Sequence, residues 1–129
     1  MKKSYLIVGI ILLLIIGWLF IRFVIGGNED SWIKDDKGIW VKHENPSETP
    51  DKVFEQQEAI NCALEKFSSF TEDINSQCLG VCMDYAVDIV HVPRTQEDNI
   101  IENQCETYRN KEVNHFIELD KYGNIVRIF

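Results

Sequence analysis

The chain has few basic residues, and it lacks the sequence motifs that identify most enzymes. It carries 13 Lys and Arg against 21 Asp and Glu, which gives a formal net charge of −8 at pH 7. From Gly27 onward, ten basic residues stand against all 21 acidic ones, so this part carries about −11. A surface this acidic repels phosphate backbones, so nucleic acid is not expected as a partner.

Catalytic and metal-binding signatures are also missing. The sequence contains no H-E-x-x-H, no G-x-S-x-G and no glycine-rich phosphate loop. His91 and His115 could face one another on neighbouring strands, but Asp88 has the opposite parity to His91 and its carboxylate should point away from that imidazole. Residues 35–38 lack the alternating oxygen ligands and the closing Glu of a calcium loop. We therefore predict no catalytic residue, no cofactor and no metal.

One long apolar run stands near the N-terminus. Residues Tyr5 to Ile25 are apolar except for Arg22 near the end of the run. As a helix rising about 1.5 Å per residue, this run would span roughly the hydrocarbon core of a bilayer. A helix also satisfies its own backbone hydrogen bonds in lipid. The sequence therefore predicts a transmembrane signal-anchor helix over residues 5–25, with the lipid bilayer as a partner.

The charges that flank this run predict its orientation. Lys2 and Lys3 precede it, whereas the residues that follow are polar and acidic. By the positive-inside rule, residues 1–4 lie in the cytoplasm, the chain crosses the cell membrane once, and the C-terminal domain lies outside. A cleaved signal peptide is the alternative, because Val24 and Gly26 resemble cleavage-site residues, but the uncharged stretch is longer than a signal peptide needs. Both interpretations export the rest of the chain.

All four cysteines follow the apolar run, and an even number in a small exported domain favours a disulfide framework. They are Cys62, Cys78, Cys82 and Cys105. A structural zinc site is less favoured, because three residues separate Cys78 from Cys82 where zinc knuckles commonly have two. The same spacing departs from the C-x-x-C pattern of a redox-active pair. Of the three possible pairings we expect Cys62–Cys82 and Cys78–Cys105, which tie a helix to the next loop and that loop to later strands.

A single helix is predicted after Thr49, which is a suitable N-cap ahead of Pro50. Residues at helical spacing define its core-facing stripe: Val53, Gln57, Ile60, Ala63, Leu64 and Phe67. Cys62 falls about 180° around the helix from Val53. A disulfide at Cys62 would then require residues 77–81 to cross the outer face of the helix.

Strand patterns fill much of the remaining sequence. They cover residues 39–43, 84–92, 113–120 and 125–129, and Gly123 marks a hairpin turn between the last two. The second strand is apolar on both faces and should be central, and a polar loop, residues 94–106, follows it. The expected fold is α+β. The transmembrane helix leads through a linker, residues 26–38, to a disulfide-stapled domain, residues 39–129, in which one helix packs on an antiparallel sheet of about four strands.

The function class that remains is a membrane-anchored extracytoplasmic protein with a structural or protein-binding role. Trp32 and Trp40 are the predicted surface for docking on another envelope protein, although both could instead pack in the core or at the membrane interface. The rival functions are a thiol-disulfide oxidoreductase and another small envelope enzyme. The chain has 17 Ile but three Ala, a bias that favours an AT-rich, prokaryotic genome.

Overall fold

The structure is a computed structural model, and it describes residues 2–21, 31–71 and 77–129. The end of the predicted anchor, residues 22–25, and the start of the predicted linker, residues 26–30, lie outside the described residues. Two short 3₁₀ turns are present at Glu97–Asn99 and Ile101–Asn103. The helices and strands, in chain order, are α1 (Lys2–Phe20), β1 (Ser31–Lys34), β2 (Trp40–His43), α2 (Asp51–Ser69), β3 (Gln77–Cys82), β4 (Tyr85–Ile89), α3 (Glu106–Arg109), β5 (His115–Leu119) and β6 (Ile125–Ile128).

Helix α1 contains the apolar run as far as the structure describes it. Its side chains from Ile7 to Phe20 are all exposed, and Leu13 reaches 70% exposure. Within the described ranges, no helix is long and apolar enough to cross a membrane.

The main sheet has four strands in the order β3-β4-β5-β6. The β3–β4 and β5–β6 pairs are antiparallel, but β4 and β5 are parallel, so the expectation of a wholly antiparallel sheet is wrong. The reason lies in residues 90–114, which carry the two 3₁₀ turns and α3 and pack buried residues against the sheet. Because this segment crosses back over the sheet, β5 starts at the same end as β4.

A two-stranded ribbon, β1–β2, forms a second sheet, and the turn between its strands is joined to β6 because the Ile128 N–H donates to the Lys37 carbonyl at 2.7 Å. Strand β1 forms inside the segment that was predicted as a linker, and it pairs with the strand expected near residues 39–43. The Asp35 carboxylate closes the turn between them by accepting the N–H groups of Lys37 and Ile39 at 3.0 and 2.8 Å. The main sheet instead takes its fourth strand from β3, where we had expected a loop that crosses the outer face of the helix.

The N-cap of helix α2 is Pro50, which makes no side-chain cap hydrogen bond, so the prediction of Thr49 as N-cap is wrong by one residue. The helix buries Val53, Gln56, Ala59 and Ala63. The predicted stripe was therefore wrong at Gln57, which is exposed, while its neighbour Gln56 is 1% exposed. Leu64, a second stripe residue, is also exposed. The buried face is turned towards Gln56, Ala59 and Ala63, because Ala59 and Ala63 pack on the main sheet and Gln56 bonds to the ribbon.

The position of Cys62 follows from this corrected face. Cys62 lies three residues from Ala59, which places it about 60° around the helix from a fully buried position. It packs against the main core cluster, so its disulfide reaches β3 at the flank of the buried face, and residues 77–81 form β3 and do not cross the outer side of the helix as expected.

Strand β4 is covered on both faces, as expected of a central strand. Tyr85, Val87 and Ile89 are buried, the first two in the core cluster that includes Ala59 and Ala63 of α2. Ala86, on the other face, packs with Cys105 and Val113 from the crossing segment. The observed strand ends at Ile89 and is shorter than the predicted one, which continued to Val92.

Candidate functional site

All four cysteines are paired, as Cys62–Cys82 and Cys78–Cys105. The expected framework of two disulfides is confirmed, and these are the two pairs that the sequence analysis expected. Cys82 and Cys105 are almost completely buried, whereas Cys78 is exposed. The Cys78–Cys105 bond therefore offers one sulfur to solvent and holds the other inside the domain.

A β-bulge sends the two disulfides to opposite faces of the sheet. Cys78 and Cys82 are four residues apart, and in a regular strand they would share one face. The register with β4 shifts between Cys78 and Gly80, so Cys78 lies opposite Asp88 while Cys82 lies opposite Tyr85. Asp88 and Tyr85 have opposite parity on β4 and point to opposite faces. The bulge thus directs Cys82 towards α2 and Cys78 towards the crossing segment.

Asp88 is a largely buried carboxylate beside the Cys78–Cys105 bond. Its Oδ1 accepts the backbone N–H of Cys105 at 3.0 Å, and its carboxylate and the two sulfurs lie within 4.8 Å of one another. Burial raises the pKa of Asp88 to about 6; the charge of Glu118 adds to this rise, and the Cys105 N–H and Arg94 oppose it. Both sulfurs are spent in the disulfide, so this group offers no thiolate to a metal ion.

Asp88 also lines a cavity of about 140 Å³. Glu118, 5% exposed, lies in the same wall and accepts hydrogen bonds from Arg94 at 2.9 Å and from Arg127 at 3.1 Å through each oxygen. We call this cavity, which is lined by the charged residues Asp88, Arg94, Asp98, Glu118 and Arg127, the polar cavity. Sequence reasoning missed it because Arg94 and Glu118 are 24 residues apart and each alone resembles an ordinary solvated charge.

The two candidate histidines have different neighbours. His91 lies with Nδ1 2.9 Å from Oδ1 of Asp98, which is 1% exposed and also accepts the His91 backbone N–H at 3.0 Å. His115 stacks on Tyr85 with ring centroids 4.8 Å apart. The carboxylate partner of His91 is therefore Asp98, whereas Asp88 accepts the backbone N–H of Cys105.

The two candidate tryptophans lie on one face of the β1–β2 ribbon, and both are half-buried. Trp32 donates its indole N–H to the Glu48 carbonyl at 3.1 Å. Trp40 is covered by the ammonium groups of Lys52 and Lys34, at 4.3 and 5.3 Å from its ring centroid. The opposite face of the ribbon presents a cross-strand pair of exposed apolar side chains, Ile33 and Val41.

No protein-family model, no curated protein and no solved structure matches the chain. A function for this chain is therefore inferred from its residues and their geometry.

Proposed function

We propose that this chain is a single-pass membrane-anchored protein whose disulfide-bonded domain lies outside the cytoplasm and binds or supports another envelope protein. The observation that carries the proposal is the exposed apolar surface of α1, where the described side chains from Ile7 to Phe20 are all exposed. A helix that is apolar all round needs an apolar environment, either a large core or lipid.

The length and flanking charges of the apolar run support lipid as that environment. The run continues past the described end of α1 to Ile25, and its 21 residues suit the thickness of a bilayer. Lys2 and Lys3 at its start favour a cytoplasmic N-terminus. The two disulfides support an oxidising compartment for the remainder of the chain.

The β1–β2 ribbon is our candidate for the partner surface. It carries Trp32 and Trp40 on one face and the exposed pair Ile33 and Val41 on the other. Nine residues separate Ile21 from Ser31, and even a fully extended chain of that length reaches only about 35 Å. A domain anchored in this way keeps the ribbon near the bilayer, where another envelope protein could meet it. Tryptophan is enriched among the residues that contribute most of the binding energy at protein interfaces.

A topology reporter tests the anchoring. A reporter that works only outside the cytoplasm, fused after Phe129, should be active, and a cytoplasm-only reporter at the same place should be silent. Replacing Lys2 and Lys3 by Glu should weaken this asymmetry, because it removes the positive charge that retains the N-terminus. Activity of the cytoplasm-only reporter in the unaltered chain would contradict the proposed orientation.

Site-specific cross-linking in intact membranes tests the partner surface. A photo-reactive residue at Ile33 or Trp40 should give a discrete cross-linked species. The matched control is Glu58, which is exposed on the outer side of α2. Equal cross-linking from Glu58, or none from the ribbon, would argue against the ribbon as the surface.

A further inference from the structure

We infer that Cys78–Cys105 is an exchangeable disulfide, which accepts electrons from a dithiol reductant at the exposed sulfur of Cys78 and uses Asp88 as the proton donor to Cys105. This activity goes beyond the proposed anchoring and docking role, and it does not depend on where the protein resides. Four features of the structure carry the inference.

The first feature is the unequal exposure of the two sulfurs. A thiolate attacks a disulfide along the sulfur–sulfur axis, and the more accessible sulfur is the one attacked. Cys78 is exposed and Cys105 is 0% exposed, so attack falls on Cys78 and Cys105 becomes the leaving group. In the other disulfide neither cysteine is exposed, because Cys82 is 1% exposed and Cys62 is half-buried against the core.

The second feature is the surroundings of the leaving sulfur. The Cys105 Sγ lies 3.5 Å from the carbonyl oxygen of Gly80 and 3.4 Å from that of Val87. Once reduced, Cys105 can donate its S–H to these carbonyls, which stabilise the thiol. The same oxygens disfavour a thiolate, which burial also penalises. Reduction at this bond therefore needs a proton at Cys105.

The third feature is a carboxyl group placed to supply that proton. Asp88 lies within 4.8 Å of both sulfurs, a separation that one water molecule bridges. Its Oδ2 has no hydrogen-bond partner among the described residues and is available to the polar cavity. An asparagine would accept the Cys105 N–H equally well without the cost of a buried charge, so a purely structural role does not call for a carboxylate here.

The fourth feature is the balance of charge around Asp88. Besides Asp88, the charged or titratable residues that line the polar cavity are Arg94, Asp98, Tyr108, Glu118 and Arg127. Glu118 is paired with both arginines, which limits their attraction for an ionised Asp88. Burial raises the pKa of Asp88 to about 6, so the acid is partly protonated near neutral pH.

The reaction balances as a two-electron exchange. The first thiolate of the dithiol forms a bond to Cys78 Sγ, and the Cys78–Cys105 bond breaks. Cys105 leaves with the electron pair and receives the Asp88 proton. The second thiol of the reductant loses its proton to water and attacks the mixed disulfide, which releases Cys78 and leaves the reductant oxidised. The reverse sequence, with Asp88 as base, re-forms the disulfide.

The test follows the reduction of each disulfide in the full chain in detergent by dithiothreitol between pH 5 and pH 7. Acid quenching, alkylation and peptide mapping distinguish the two bonds. We expect Cys78–Cys105 to be reduced while Cys62–Cys82 remains intact. The rate constant, expressed per dithiothreitol thiolate, should fall about tenfold from pH 5 to pH 7 as a group with a pKa of about 6 ionises.

An asparagine substitution separates proton donation from structure. Asp88→Asn keeps an acceptor for the Cys105 N–H but has no proton to transfer, so its rate constant should be slow and independent of pH over this range. Asp36→Asn, at an exposed turn residue, is the matched control and should keep the wild-type profile. The inference fails if both disulfides are reduced together, if the wild-type profile is flat, or if Asp88→Asn retains the wild-type slope. The wild-type profile alone decides the matter if a variant does not fold.

Discussion

Replacing Gln56 by alanine should detach the β1–β2 ribbon from α2. Gln56 is 1% exposed, and its side chain bridges two backbone groups of the ribbon. Its Oε1 accepts the Trp40 N–H at 2.8 Å, and its Nε2 donates to the Gly38 carbonyl at 2.9 Å. One side chain therefore satisfies both a donor and an acceptor that no alanine could reach.

The magnitude follows from the groups that the substitution leaves unpaired. An unsatisfied buried donor or acceptor costs about 1–3 kcal/mol, and the half-buried position of Trp40 lets water recover part of this loss. We expect the free energy of unfolding to fall by about 2–4 kcal/mol. For a domain of roughly 100 residues, this corresponds to a decrease in Tm of about 10–25 °C.

The assay is urea and thermal unfolding followed by circular dichroism, with Gln57→Ala as the matched control. Gln57 is the neighbouring residue with the same side chain, but it is exposed, so its substitution should change stability by less than about 0.5 kcal/mol. Amide hydrogen exchange should also show lost protection at Trp40 in Gln56→Ala alone. Equal effects of the two substitutions, or unchanged protection at Trp40, would refute the reasoning.

Three further predictions concern the buried carboxyl, the disulfides and a turn. Burial raises the pKa of Asp88 from 3.8 to about 6, so the folded state favours the protonated carboxyl and loses stability as pH rises from about 4 to about 6. In urea unfolding, Asp88→Asn should be more stable than the wild type by about 2–3 kcal/mol at pH 7 and no more stable at pH 3.5. In the same assay, Cys62→Ala and Cys82→Ala should each lower the free energy of unfolding by about 3–4 kcal/mol, and the two together by little more, because both remove one disulfide. The losses from Cys62→Ala and Cys105→Ala should be nearly additive, and the opposite pattern would overturn the connectivity. Gly38→Ala should lower the free energy of unfolding by about 2–4 kcal/mol in thermal unfolding, because φ is +86° at Gly38 and the added Cβ would collide with the backbone oxygen of Ile128. An unchanged stability would show that this turn does not pack on β6.

Local signals in the sequence were sufficient for several elements. Thr49 and Pro50 indicated the start of α2 to within one residue, since the helix begins at Asp51 with Pro50 and not Thr49 as its N-cap. Gly123 adopts a positive φ of 82° in the turn between β5 and β6, as a hairpin with Gly at that place requires. These predictions depend on the conformational preferences of one or two residues, and such preferences can be read from a short stretch of sequence.

Other predictions failed where a distant segment decides the outcome. The choice between Gln56 and Gln57 depends on where the ribbon crosses α2, and both residues look alike in a helical pattern. The strand pattern likewise describes β4 and β5 but carries no direction. Their parallel pairing arises because the segment between them folds back over the sheet.

The sequence by itself determined that the chain has a long apolar run, an acidic C-terminal part and four cysteines suited to two disulfides, because composition and spacing are properties of the chain alone. Only the tertiary structure decided which face each disulfide occupies. The bulge beside Cys78 inverts the alternation of β3. Gly80, with a φ of +122°, permits the bulge locally, but the pairing with β4 decides the register on each side of it. That inversion places Cys78 opposite Asp88, and the crossing segment then buries the carboxylate beside the disulfide. Burial and neighbouring charge raise the pKa of Asp88 only in this folded arrangement, because desolvation depends on segments far apart in the sequence.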